Sequence, residues 1–249
     1  MLHIPKSAGT SVATSLRETL TQHVWSPYAL DPSLFGSMRN ESVPEQQLDQ
    51  VLPDPTMLHD FSAATSHFSL PTLLTSFDEA DIVMLIREPR ARLLSHYQYW
   101  RGLGESARDP GNTWSITSKA TQLSFGEWIV DSQTAYQTDN ILVRTLLAGH
   151  PAILDDDFID PDNLRLLTPI AQRVACSLGW VDVIERGTDI WVGLNRRVGV
   201  DLAQSRVNET RHRPELPTDA SVLFEPSTVA ALHERTIADL ERCGAATWC

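Results

Sequence analysis

Lysine is almost missing from this chain. Of its 249 residues 20 are basic, and only Lys6 and Lys119 among them are lysines; acidic residues number 32 and the formal net charge is −12. A balance so short of positive charge argues against broad binding to nucleic acid or to an anionic membrane, which needs a basic face. It leaves room for a local anion site. Cysteine is scarce too. Cys176, Cys243 and Cys249 are too few and too irregularly spaced for a disulfide framework or a zinc site. Cys176 sits in an apolar run and reads as a buried free thiol, which fits a reducing cytosol. No run approaches the ~18 consecutive apolar residues of a membrane-crossing helix. The segment after Met1 reads as structure rather than as a leader. With Met1 as the natural start, the expectation is a cytoplasmic protein without stable membrane insertion.

What is present is ordinary for a soluble fold: 42% apolar and 21% charged residues. No repeat, low-complexity tract or clear linker divides the chain, so residues 1–249 read as a single domain. Leu2-His3-Ile4 predicts a short strand, residues 5–10 a turn, and residues 11–20 a helix with Val12, Leu16 and Leu20 on one face. Asp81 to Ile86 carries the strongest strand signal, a continuous apolar run suited to a buried parallel strand. Pro89 opens a helix that reaches about Arg101. A polar loop follows over 102–121, then helices at 124–132, 139–148 and 161–171, a short strand at 174–178, and helices at 182–198 and 226–242. Few strands, many helices and strand–loop–helix units predict an α/β fold with a short central parallel sheet.

Two stretches carry chemistry. In the first, His3-Ile-Pro-Lys-Ser-Ala-Gly-Thr-Ser11, a strand ends in a small-residue loop that opens into a helix. Free N–H groups at such a helix start, with the helix dipole, attract an anion. Gly9 permits close approach of the backbone, Ser7, Thr10 and Ser11 offer hydroxyls, and Lys6 adds a mobile cation. The order of residues differs from the nucleotide-triphosphatase loop, whose lysine follows its last glycine. The blander reading is a helix capped by Thr10 or Ser11 with an exposed lysine ahead of it. In the second stretch, Arg87 ends the strong strand and Ser95 lies two helical turns on. Arginine at the carboxyl end of a strand faces the crevice where open α/β sheets bind ligands. An arginine fork with a hydroxyl suits a phosphate monoester. A kinase or NTPase would place a magnesium-holding aspartate at such a strand end.

The first stretch resembles the 5′-phosphosulfate loop of sulfotransferases that use 3′-phosphoadenosine 5′-phosphosulfate (PAPS). It is most similar to the group of the heparan sulfate 2-O- and 6-O-sulfotransferases and related carbohydrate enzymes, with Ser7 in place of a threonine. Ile86-Arg87-Glu-Pro-Arg-Ala-Arg-Leu-Leu-Ser95 resembles the same family's 3′-phosphate motif. The resemblance implies a three-layer fold like that of P-loop NTPases and transfer of a sulfuryl group from PAPS to an acceptor hydroxyl. It implies adenosine 3′,5′-bisphosphate as the second product and no metal requirement. Lys6, Ser7, Ala8, Gly9, Thr10 and Ser11 would hold the 5′-phosphosulfate, with Lys6 also catalytic. Arg87 and Ser95 would hold the 3′-phosphate, and Arg92 would join them or orient the loop.

His67, in Thr65-Ser66-His67-Phe68, falls where the family has a Gly-His-Phe-type segment whose histidine serves as base in the 2-O-sulfotransferase branch. Ser66 stands here in place of the glycine. His59, next to Asp60, is the rival base, while His96 reads as helix packing and His3 as a core residue. Asp139-Asn140 with Leu146-Leu147-Ala148-Gly149 is similar to a family helix. Arg206-Val207-Asn208-Glu209-Thr210 resembles a family segment near the nucleotide, making Asn208 and Thr210 further cofactor candidates. Trp25, Tyr28, Trp100 and Trp114 are candidate aromatic platforms for the acceptor, a saccharide or small molecule. The acidic balance discourages a polyanionic one. A divergent kinase or NTPase and a non-catalytic nucleotide- or glycan-binding module are the alternatives.

Overall fold

The computed structural model describes residues 1–36, 43–103 and 115–204. Asn208, Thr210, Trp114, Cys243, Cys249 and the helix expected over 226–242 lie outside the described residues. The fold is mixed α/β: a small parallel sheet with helices on both faces. Strand β1 is Leu2–His3, β2 is Val83–Ile86 and β3 is Trp180–Val183. Their spatial order is β1-β2-β3, with Leu2 opposite Met84 and Val83 opposite Trp180. Single parallel bridges carry the pairing outward past β1, from Leu2 to Ser66 and from His67 to Leu30. Every strand end therefore points the same way, and the segments leaving those ends meet along one edge.

The helices are α1 (Gly9–Thr19), α2 (Leu70–Leu73), α3 (Pro89–Gly102), α4 (Lys119–Gln122), α5 (Phe125–Val130), α6 (Ala135–Thr138), α7 (Ile141–Leu146), α8 (Pro161–Ser177) and α9 (Asp189–Val198). Alternation along β2 explains the layers. Met84 and Ile86 face a core that includes residues of α2, α7 and α8, while Val83 and Leu85 face one built from α1 and α9. A third core, rich in aromatics, lies off the sheet. In it Leu93, Tyr97 and Trp100 of α3 pack with Phe35, Phe125 and Trp128. Among the described residues no helix is long and apolar enough to cross a membrane.

Two expectations near β3 are overturned. Residues 174–177 are the last turn of α8, with Leu178 as its C-cap, and the strand is Trp180–Val183. Leu164, Leu167, Ala171 and Ala175 keep one apolar helical face running to Ser177, and Gly179 makes the break. Within β3 the buried Asp182 interrupts the apolar run, which hides the strand. Its charge is met by Arg186 at 2.9 Å, four residues on. The helix expected over 182–198 accordingly shrinks to α9. Cys176 is also corrected. It projects from the exposed side of α8 and is disulfide-bonded, so it is neither buried nor a free thiol.

Candidate active site

The loop between β1 and α1 is bent by two left-handed residues, Lys6 at φ 66° and Ala8 at φ 59°. Both are non-glycine, and such residues cost of order 1 kcal/mol or more each and gather at functional sites. Left-handed residues alternating along a loop turn successive N–H groups toward one point, the geometry of an anion nest. Helix α1 begins at Gly9, two residues earlier than expected, with Ala8 as its N-cap and no side-chain cap bond. The reading in which Thr10 or Ser11 caps the helix therefore does not apply. Gly9 is required for space rather than for φ: a Cβ there would lie 1.9 Å from Cδ2 of His3. Ser7 departs from the rest of the loop. It is wholly buried, its Oγ has no hydrogen-bond partner among the described residues, and it is not on the cavity wall.

Lys6 is half-buried, and its Nζ stands 4.2 Å over the ring of Tyr99. Burial, and then the Arg87 guanidinium, push its pKa below the ordinary lysine value. Arg87 leaves the end of β2 and donates from Nη1 to the Lys6 carbonyl at 3.3 Å, tying the two motifs together across 81 residues. Ser95 lines the cavity one helical turn from Tyr99. Arg92 is placed elsewhere. It is buried away from the cavity, donates to the Gln137 carbonyl at 3.2 Å and reaches Nδ1 of His96 at 3.4 Å. It orients the helix and the histidine, and Arg90 pairs with Glu88 at the surface.

Three histidines lie beneath the loop. His3 and His67 stack with centroids 4.4 Å apart, and Nδ1 of His67 donates to the His3 carbonyl at 3.2 Å. A carbonyl can only accept, so Nδ1 carries the proton and Nε2 keeps the lone pair. Burial lowers the pKa of His67, against an upward pull from that hydrogen bond. His3 and His96 are held well below the ordinary histidine value, chiefly by burial. For His3 the neighbouring His67 adds to this; for His96 it is Arg92. His59 is exposed, bonds to the Thr75 carbonyl at 2.6 Å, and takes no part in the cavity.

These groups line one cavity of about 760 Å³, within the roughly 300–1,000 Å³ usual for small-molecule sites. It gathers Lys6, Ala8, Gly9, Thr10, Ser11, Arg87, Ser95 and His67 of the expected site. Trp100 reaches its wall, whereas Trp25 and Tyr28 do not: Trp25 packs near α1 and Tyr28 near Met57. Sequence reasoning did not single out Asp31, Leu34, Phe35, Tyr99, Tyr136 or Gln137, all of which line the cavity. Tyr99 carried a signal, since Ser95 and Tyr99 share a helix face at i, i+4. Asp31 did not; its role depends on a turn in which it accepts from the N–H of Ser33 at 2.8 Å and of Ser69 at 2.9 Å.

The Asp139-Asn140 motif is structural. The Arg144 side chain, fully buried, bonds to the Asp139 carboxylate at 2.8 Å and to the carbonyls of Asp139, Leu154 and Asp157. Asp139 also accepts from Asn140 and from the N–H of Ile159. Among the described residues no group of three His, Cys, Asp or Glu side chains is placed to hold a metal ion. No family model, curated protein or solved structure matches the chain.

Proposed function

We propose that this protein is a PAPS-dependent sulfotransferase on a fold of the P-loop type. The observation that carries the reading is the meeting, in one cavity, of the Lys6 loop with the uncapped start of α1, the Arg87–Ser95 pair, and His67. Their residue types also match the two phosphate motifs of the family that the sequence resembles. The donor set suits such a cosubstrate: a cation and turned N–H groups for one phosphate, an arginine fork and a hydroxyl for the other.

PAPS supplies an activated sulfuryl group, whose bond from sulfur to the phosphate oxygen breaks as the acceptor oxygen bonds to sulfur. Lys6 and the N–H groups of the Gly9–Ser11 turn stabilise the charge left on the 5′-phosphate. Nε2 of His67, the ring nitrogen with a free lone pair, takes the proton of the acceptor hydroxyl. The lowered pKa of His67 keeps the imidazole in its basic form at neutral pH. His96 accepts from Arg92 at Nδ1, so its Nε2 carries the proton, and the ring lines the cavity.

Two variants test the reading. Lys6→Ala should abolish release of adenosine 3′,5′-bisphosphate from PAPS. Arg87→Ala should weaken binding of adenosine 3′,5′-bisphosphate by about 10–100-fold, the worth of a charged hydrogen bond, and that of adenosine 5′-phosphate far less. Calorimetry of both ligands decides it, and equal losses for the two would remove Arg87 from the 3′-phosphate.

A further inference from the structure

Beyond the phosphate motifs the cavity has a second half of different chemistry. The parallel order sets its position. Arg87 follows β2 and Ile184 follows β3, whereas His67 and Leu30 bridge to each other on the far side of β1. On the His67 side, away from Arg87, Leu30, Leu34 and Phe35 line the wall, and Tyr136 and Trp100 line it too, Tyr136 packed on Gly36 and Trp100 in one cluster with Phe35. These surfaces are fixed in advance. Tyr136 donates to the Ser33 carbonyl at 2.9 Å and closes on Gly36, where a Cβ would lie 2.3 Å from the ring. Trp100 is held edge-on by His96 at 4.5 Å and by Trp128 at 5.6 Å.

Charge separates the halves as sharply. Among the described residues, Lys6 and Arg87 are the cavity's lysine and arginine, and both belong to the phosphate motifs. Among the described residues the other charged side chain lining the cavity is Asp31, with Gln137, Thr117 and Thr145 as further polar lining. Burial keeps His3, His67 and His96 from supplying positive charge. Among the described residues, an anionic saccharide entering this half would find a carboxylate and no cation to offset the loss of its water.

We infer that the acceptor is an uncharged alcohol or phenol carried on an apolar body, aromatic or fused-ring in breadth, and not an acidic glycan. The inference rests on the sulfotransferase reading for the identity of the reaction, but the apolar half can be tested without turnover. Its walls take the body of the acceptor by burial and ring contact, at about 25 cal/mol per Å². The hydroxyl is left pointing toward Nε2 of His67. As its oxygen bonds to sulfur, the hydroxyl proton passes to that nitrogen and the bond from sulfur to phosphate breaks.

The test uses 2-naphthol as the probe, with desulfated heparan sulfate and a neutral disaccharide as competitors. Adenosine 3′,5′-bisphosphate is titrated first. If it does not bind, the sulfotransferase reading itself fails. If it binds, the full chain saturated with it should bind 2-naphthol, followed by quenching of tryptophan fluorescence, and neither saccharide should displace the probe. Leu34→Arg should weaken 2-naphthol at least ~10-fold, the usual penalty for spoiling an apolar pocket, while bisphosphate affinity stays within about twofold. Leu34→Ala, milder toward folding, should give a smaller loss in the same direction. Transfer of ³⁵S from labelled PAPS to 2-naphthol and not to the glycan completes the support. Bisphosphate binding without naphthol binding, or transfer to the acidic glycan alone, overturns the inference.

Discussion

Gly9 shows how much of the site turns on single atoms. The helix would accept alanine at this position on backbone grounds, but the missing Cβ is the space that the His3 ring fills. His3 in turn stacks on His67, and its carbonyl accepts a hydrogen bond from the Nδ1–H of His67. Gly9→Ala must push that ring aside, an overpacking cost of about 1–3 kcal/mol. Urea denaturation should show the loss, and, if His67 is the proposed proton acceptor, turnover should fall by more than bisphosphate affinity, because the displaced imidazole pair positions it. An unchanged kcat alongside the lost stability would separate His3 from catalysis. The cations at the site among the described residues, Lys6 and Arg87, were legible in the sequence because their motifs are local. Asp31, Phe35 and Tyr136 were not, since separate loops bring them to the wall and no spacing in the chain announces it.

Among the elements, those with one unbroken apolar pattern were readable: β2, the helix after Pro89, and α1 to within two residues. β3 was not, because Asp182 stands inside it, and the periodicity of α8 runs on through a stretch that also reads as a strand. The turn between α6 and α7 illustrates the opposite case, a motif seen in the sequence whose work is structural. Asn140 adopts φ 46° there, and the Asp139–Arg144 pair is fully buried, with the guanidinium 5.0 Å over Tyr136. Removing one partner leaves the other charge without water or counter-ion, which costs about 3–5 kcal/mol. Arg144→Met should therefore lower the denaturation midpoint strongly, and Asp139→Ala should do the same. The double variant should cost less than the two single losses added together. Additivity would mean that the pair is not coupled.

For the molecule as a whole, the net charge of −12 and the neutral histidine group beneath the Lys6 loop bear on the same question, how stability depends on pH. His3, His67 and His96 are all lowered from 6.5, mainly by burial. The folded chain thus keeps them uncharged where the unfolded chain would protonate them. At pH values above about 6.5 both states carry neutral imidazoles, and these groups add no pH dependence. Below it the unfolded state binds more protons, so stability falls as the pH falls, by up to about 1.4 kcal/mol per pH unit for each histidine. The effect should emerge between pH 6.5 and 5.5, before most carboxylates begin to titrate. Urea midpoints measured across that window should decline, and His96→Gln should flatten the decline, since glutamine keeps a polar side chain and cannot take the proton. A midpoint constant down to pH 5.5 would mean that the histidines can be charged in place, and His67 would then lose its footing as a base held neutral. If the proposed function holds, adenosine 3′,5′-bisphosphate should raise the midpoint at every pH, as any ligand of the folded state does.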